Sequence, residues 1–311
     1  MRVWKQVLFI AAILVLSLCV FSTAAADVKP IPLDILEHGT PPKAEGWVVP
    51  DREYQDESIH VVLEEKKNHK SPTSDHPVTI HWVVIEIKDP SQLRATLRND
   101  SYTNKAKATT DDMVPYLNAV VALNDDYVKM NNYKGYVIRQ GNLFLNNLDD
   151  WKEDLRQDVL LIDDRGDFSV VQKATSADVE ARTAELEGEG KSVVNAFTFG
   201  PTLVIDGQVQ ELKREQSTHS INLATARMVI CQLDTLKYAV FAVDAPNTGD
   251  GMNCKEIAEF IVKTFPECKI AYNLDGGGSS KLFLGQKKIN KAPGRREING
   301  MIYFASAESE D

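Results

Sequence analysis

Three consecutive glycines follow an apolar stretch in the run Asn273-Leu274-Asp275-Gly276-Gly277-Gly278-Ser279-Ser280. Glycine adds chain entropy and removes side-chain burial, so three together at the end of a buried strand let the backbone approach something closely. With Asp275 before them and Ser279 and Ser280 after, the loop sets peptide N–H groups beside a carboxylate and two hydroxyls. Such a nest suits an anionic or hydroxyl-rich ligand. A tight turn between two strands fits the same spacing, and the spacing alone leaves both readings open. A Walker loop is excluded because G-x-x-x-x-G-K-[ST] is absent, although Lys281 follows the serines. No G-x-S-x-G nucleophile elbow occurs, and the six histidines fall into no triad order.

A second polar cluster, Asn124-Asp125-Asp126-Tyr127, follows the apolar run Ala119–Leu123. Sites tend to be built where a buried strand ends. If Asp126 shares a pocket with Asp275, two carboxylates flank a substrate as glycoside hydrolysis requires, one as acid and the other as base or nucleophile. A solvated acidic turn is the alternative. Arg227 opens a strand, and its planar fork matches phosphate oxygens bidentately, with surface ion pairing as the other reading. Asp244 ends another strand beside Gly249 and Gly251, which either line a cleft or turn the chain. His81 alternates with Trp82 in an apolar strand and reads as a packed core histidine. The pairs Asp111-Asp112, Asp149-Asp150 and Asp163-Asp164 lack the spacing of a calcium loop and read as solvated turns.

Residues 1–26 read as an export signal: Arg2 and Lys5 precede the apolar run Val7 to Phe21, and Ala24-Ala25-Ala26 supplies the cleavage site. An uncleaved anchor is the alternative, since the run is shorter than the roughly 18 residues of a spanning helix unless the small residues to Ala26 are counted. The mature chain, from Asp27, has a secreted or outer-envelope destination and no other membrane segment. With 45 acidic against 35 basic residues the full chain carries −10, a sign that argues against nucleic acid as a partner. Cys231, Cys254 and Cys268 remain after export, and in an oxidising compartment Cys254 and Cys268 are positioned for a structural bridge. Their spacing matches no zinc site, and the sequence calls for neither metal nor cofactor.

Residues 27–56, rich in proline and charge, read as a loosely ordered leader onto a domain spanning 57–311. That domain alternates β-rich runs with turns: 59–66 and 78–88, then 119–123, then hairpins about Gly141-Asn142 and Arg165-Gly166-Asp167, then strands around Phe199-Gly200-Pro201. Helices are expected after Thr110, from Ser176 to Glu187, and from Asn253, where Glu256 completes a capping box and Pro266 ends the helix. The strand 269–274 enters the glycine loop, and 281–284 and 301–305 follow. The fold class is α+β: a sheet-rich single domain with a few helices packed on a mainly antiparallel sheet.

At Asn273 to Ser280 the chain resembles the phosphodiester glycosidase family, whose Asn-Leu-Asp-Gly-Gly-Gly-Ser-Ser run is present unchanged. In the same order, Asn124-Asp125-Asp126-Tyr127 is similar to the family's Asn-Gly-Asp-Phe/Tyr, Phe199-Gly200-Pro201-Thr202-Leu203-Val204 to its Gly-Pro-x-Leu-Val, and Ala226-Arg227-Met228 to its Pro-Arg-Thr. The resemblance covers about residues 78 to 305 and implies a secreted hydrolase of sugar 1-phosphodiesters, possessing a glycan or sugar-phosphate substrate. It implies catalytic roles for Asp275, Asp126 and Asn124, and substrate or phosphate contacts for Arg227, Asp244, Gly276, Gly277, Gly278, Ser279 and Ser280. Four positions depart from the pattern: Asp125 replaces glycine, Met228 threonine and Lys281 threonine, and Asn299-Gly300 replaces Ser-Asn/Asp. Those departures leave a non-catalytic module for phosphorylated glycans, or an envelope-assembly protein, as the alternatives.

Overall fold

The computed structural model describes residues 28–101, 107–126, 134–212, 221–247 and 249–309. The expected export signal and Tyr127 lie outside the described residues. The described residues form three sheets, and all strand pairs among them are antiparallel. The α+β, sheet-rich and antiparallel reading therefore holds, with the strands divided over three sheets.

The largest sheet centres on Val78–Ile87, Lys237–Val243, Met228–Asp234 and Ile270–Asn273. Side chains alternate across a strand, and here both faces are apolar. Met228, Ile230, Tyr238, Val240 and Tyr272 enter the central core, while Val229, Cys231, Ala239 and Phe241 face the helix Cys254–Thr264. That helix starts where its sequence dictates: Asn253 Oδ1 accepts from Glu256 N at 2.9 Å, and Glu256 Oε2 accepts from Asn253 N at 2.9 Å. The second sheet, with Gly135–Arg139, Val193–Phe199 and Asp158–Asp163 at its centre, puts Leu160, Ile162 and Phe197 into the core. Its other face carries Val159, Leu161 and Ala196 against the helix Ser176–Gly188. The cap of that helix is Thr175, one residue before the expected Ser176, because only Thr175 has an acidic residue, Asp178, three places on. The third sheet joins Ala119–Asn124 to Leu282–Leu284 and Gly300–Ala305.

The segment 28–56 is docked, in contrast to the loose leader its composition implies. Ile31 and Ile35 are buried, Thr40 bridges to Ser306, and Glu53–Gln55 pairs with Ile59–His69. The buried Arg94 holds it with hydrogen bonds to the carbonyls of Pro32 (3.0 Å) and Asp34 (2.8 Å). Two isoleucines among the prolines supply the anchors, and a buried guanidinium needs acceptors. The expected Cys254–Cys268 bridge is absent: Cys231, Cys254 and Cys268 are buried free thiols. Cys268 neighbours Cys231, whose thiol burial pushes well up, and Cys254 lies near Arg227 instead. No helix of the described residues is long and apolar enough to cross a membrane.

Candidate active site

The ends of three strands meet at the glycine loop. Leu274 N donates to Met228 O at 2.8 Å, and Gly277 N to Ala226 O at 2.9 Å. On the other side Asn124 Nδ2 donates to Asp275 O at 2.8 Å, and Asn124 Oδ1 accepts from Lys281 N at 3.1 Å. One buried amide thus clamps both ends of the loop, so Asn124 acts as a positioning residue. The glycines answer to close backbone approach: a Cβ at Gly276 would lie 2.7 Å from Ala226 O, and one at Gly278 would lie 2.9 Å from Pro293 O. Gly277 has φ +57°, which disfavours other residues. The open nest of amides expected from the sequence is largely occupied, since Gly277, Ser279 and Ser280 N–H bond to Ala226, Gly276 and Gly277 carbonyls. Ser280 Oγ donates to Arg227 O at 3.0 Å and is likewise structural.

Asp275 differs from its neighbours. Its residue is 6% exposed, and Oδ2 is buried without a hydrogen-bond partner. Arg296 Nη1 lies 3.6 Å from that oxygen, an ion-pair distance too long for a hydrogen bond. Burial pushes the Asp275 carboxyl above the usual carboxylate range, against opposing pulls from Ser279 and Arg296. A buried carboxyl whose affinity for a proton is raised, set beside a polar loop, can deliver or take a proton.

Asp126 lies in a separate cluster and has both carboxylate oxygens bonded. Its Oδ1 accepts from Arg139 Nη2 at 2.6 Å and its Oδ2 from Thr198 N at 2.8 Å. Arg139 Nη2 also donates to Asp125 Oδ2 at 2.9 Å, and its guanidinium stacks 4.2 Å from the Phe197 ring centroid. Burial and the neighbouring Asp126 charge push Asp125 up to about 8, although Arg139 opposes them. With both oxygens engaged at 3% exposure, Asp126 ties its strand end to the neighbouring sheet. Backbone links the clusters, since Asp275 N points at Asp125 O at 3.4 Å.

Arg227 is 1% exposed, and its guanidinium donates to Met252 O (2.9 Å) and Leu223 O (2.7 Å). Two nitrogens of the expected phosphate fork are thus turned to backbone carbonyls. Asp244 Oδ1 faces His81 Nε2 at 3.1 Å and accepts from Lys291 N at 2.7 Å. His81 is buried, as expected, with a carboxylate for company.

The sequence profile of the phosphodiester glycosidase family matches residues 117–305. The chain belongs to that family. Among solved structures, the zebrafish N-acetylglucosamine-1-phosphodiester alpha-N-acetylglucosaminidase catalytic domain, auto-inhibited by its pro-peptide, is similar at a TM-score of 0.59 and 18% identity. The match covers 80% of this chain and 88% of that one. A hypothetical protein from Synechocystis is similar at a TM-score of 0.53 and 14% identity, over 80% of this chain and 62% of that one. No curated protein matches the sequence.

Against the family pattern, two departures occupy one space. A Cβ at Gly300 would lie 2.3 Å from Thr96 O and 2.5 Å from Asp125 Oδ2, so the backbone of the neighbouring strand and the carboxylate at 125 together take the space of a side chain at 300. Lys281, another departure, sends Nζ to the carbonyls of Ala292 and Gly294 at 3.3 Å each. Met228 is buried in the central core. Sequence reasoning passed over Arg139 and Arg296. Arg139 closes the otherwise apolar strand Gly135–Arg139, and a charge at a buried strand position was a readable signal. Arg296 lies in a polar stretch with no pattern to mark it.

Proposed function

We propose that the protein hydrolyses sugar 1-phosphodiesters, with Asp275 as the residue that moves the proton. Water adds at the anomeric carbon, the C1–O bond to phosphorus breaks, and a free sugar and a phosphate monoester leave. The observation that carries this reading is the unpartnered, buried Asp275 oxygen within a loop that matches the family run without change. Asp275 serves as the general acid or base, Asn124 holds its loop, and the phosphate is met by a cation beside that loop. Membership of the family and the likeness in fold to the zebrafish domain support it. The action belongs outside the cytoplasm, on envelope or capsular glycans, by the export pattern of residues 1–26, and a mature N-terminus at Asp27 would bear that out. The test is release of reducing sugar from a panel of glycosyl phosphodiesters by the purified protein, compared with Asp275→Asn.

A binding module for phosphorylated glycans is the second reading, favoured by one observation: the Arg227 guanidinium is turned onto backbone carbonyls. Binding of the same diesters without sugar release would support it.

A further inference from the structure

We propose that Arg296 recognises the anionic phosphodiester group, so that the segment 290–298 sets the preference for phosphodiesters over neutral glycosides. The inference rests on the hydrolase reading above and assigns the ligand contact within it.

The segment is fastened against the glycine loop. Asn290 Oδ1 accepts from Leu282 N at 2.8 Å, and its Nδ2 donates to Ser280 O at 3.0 Å. Lys291 N donates to Asp244 Oδ1 at 2.7 Å, the Lys281 ammonium holds the Ala292 and Gly294 carbonyls, and Ile298 bridges to Ala108. Between these fixings Pro293 and the Arg296 stem pack on Gly278, where a Cβ would lie 3.6 Å from Arg296 Cβ. The fixings explain the residues around the site: Asp244 and Lys281 position the segment, and Gly278 makes room for it.

Arg296 itself is held loosely. Its Nη1 is 3.4 Å from Ser279 Oγ and 3.6 Å from Asp275 Oδ2, both long, and its side chain is 50% exposed. Arg227 and Arg139, by contrast, are buried on backbone carbonyls or carboxylates. A guanidinium whose contacts are long and whose face meets water can turn to a phosphate's non-bridging oxygens at little cost, and its fork fits them bidentately. It would bring the scissile oxygen to the buried Asp275 oxygen, which has no hydrogen bond to lose.

The test uses the full chain and its Arg296→Gln and Arg296→Lys variants. Probes are the methyl phosphodiesters of glucose, mannose and N-acetylglucosamine 1-phosphate, with the neutral methyl glycosides as controls. Titration calorimetry reads binding, and reducing-sugar release reads turnover. Arg296→Gln is expected to raise Kd and KM for the diesters by about 10-fold to 100-fold, the loss of a charge-assisted contact, with kcat changed far less. Arg296→Lys falls between, keeping the charge without the fork. The neutral glycosides respond to neither change. Equal diester Kd and KM in the parent and Arg296→Gln overturn the inference, while sugar release by both keeps the hydrolase reading. Arg296-dependent binding without sugar release keeps the inference and removes the hydrolase reading. A parent protein that binds no diester removes both.

Discussion

Replacing Asp275 by asparagine should trade activity for stability, and the structure fixes the sign of both effects. In the native fold the carboxyl is buried, one oxygen lacks a hydrogen-bond partner, and burial raises its affinity for a proton. An unsatisfied buried polar atom costs about 1–3 kcal/mol. The ion pair with a half-exposed Arg296 returns about 0–1 kcal/mol. An asparagine side chain there would carry no charge to desolvate, so the variant should be about 0–3 kcal/mol more stable at pH 7, or up to about 12 °C higher in Tm for a domain of this size. A carboxyl whose folded pKa is raised binds its proton more tightly in the native state, so its cost is absent below the unfolded value near pH ~4 and grows as pH rises. The gain from Asp275→Asn should therefore vanish near pH ~4. Activity should fall by about 100-fold to 10,000-fold, the usual contribution of a general acid or base. Thermal melts at both pH values, with sugar release from a cleaved diester, check the pair of effects. A variant destabilised at pH 7, or one retaining activity within about tenfold, would refute the reasoning.

Other perturbations follow from the same clusters. Arg139→Met leaves Asp125 and Asp126 buried without their cation and should cost about 3–5 kcal/mol in urea denaturation. Gly276→Ala drives a methyl group against the Ala226 carbonyl at 2.7 Å, and should lower stability by about 1–3 kcal/mol with a matching loss of activity. Asp125, pushed up to about 8, holds a native-state proton that the unfolded chain releases near ~4. Parent stability should thus decline between those values, and Asp125→Asn should flatten the urea midpoint measured at pH 5 and pH 8.

Structure is legible in the sequence where a residue's neighbours along the chain decide it. Asn253 with Glu256, the apolar run before Asn124 and the strand that Arg227 opens are each specified within a few residues. Site geometry follows a different logic, because it depends on pairings far apart in sequence. Arg227 looked like a phosphate ligand by type, yet Met252 and Leu223, which the fold brings to it, decide what its guanidinium does. The partners of Asp126, Arg139 and Thr198, come from two other strands and are equally out of reach of a local pattern. The docking of residues 28–56 was hidden for a similar reason: composition counts prolines and charges, whereas two isoleucines and a distant arginine decide the outcome.

The grip of Arg94 on that N-terminal stretch makes the first residues of the domain a plug for a charged socket. The guanidinium is fully buried, and beyond Pro32 and Asp34 its bonds reach the carbonyl of Ser91 and the Tyr303 hydroxyl. A protease that trimmed the chain past Asp34 would strip two acceptors from a cation shut away from water, and the third sheet would have to admit solvent to hydrate it. Loss of a short, proline-rich stretch far from the glycine loop would then be felt as loosening of the strand that ends in Asn124.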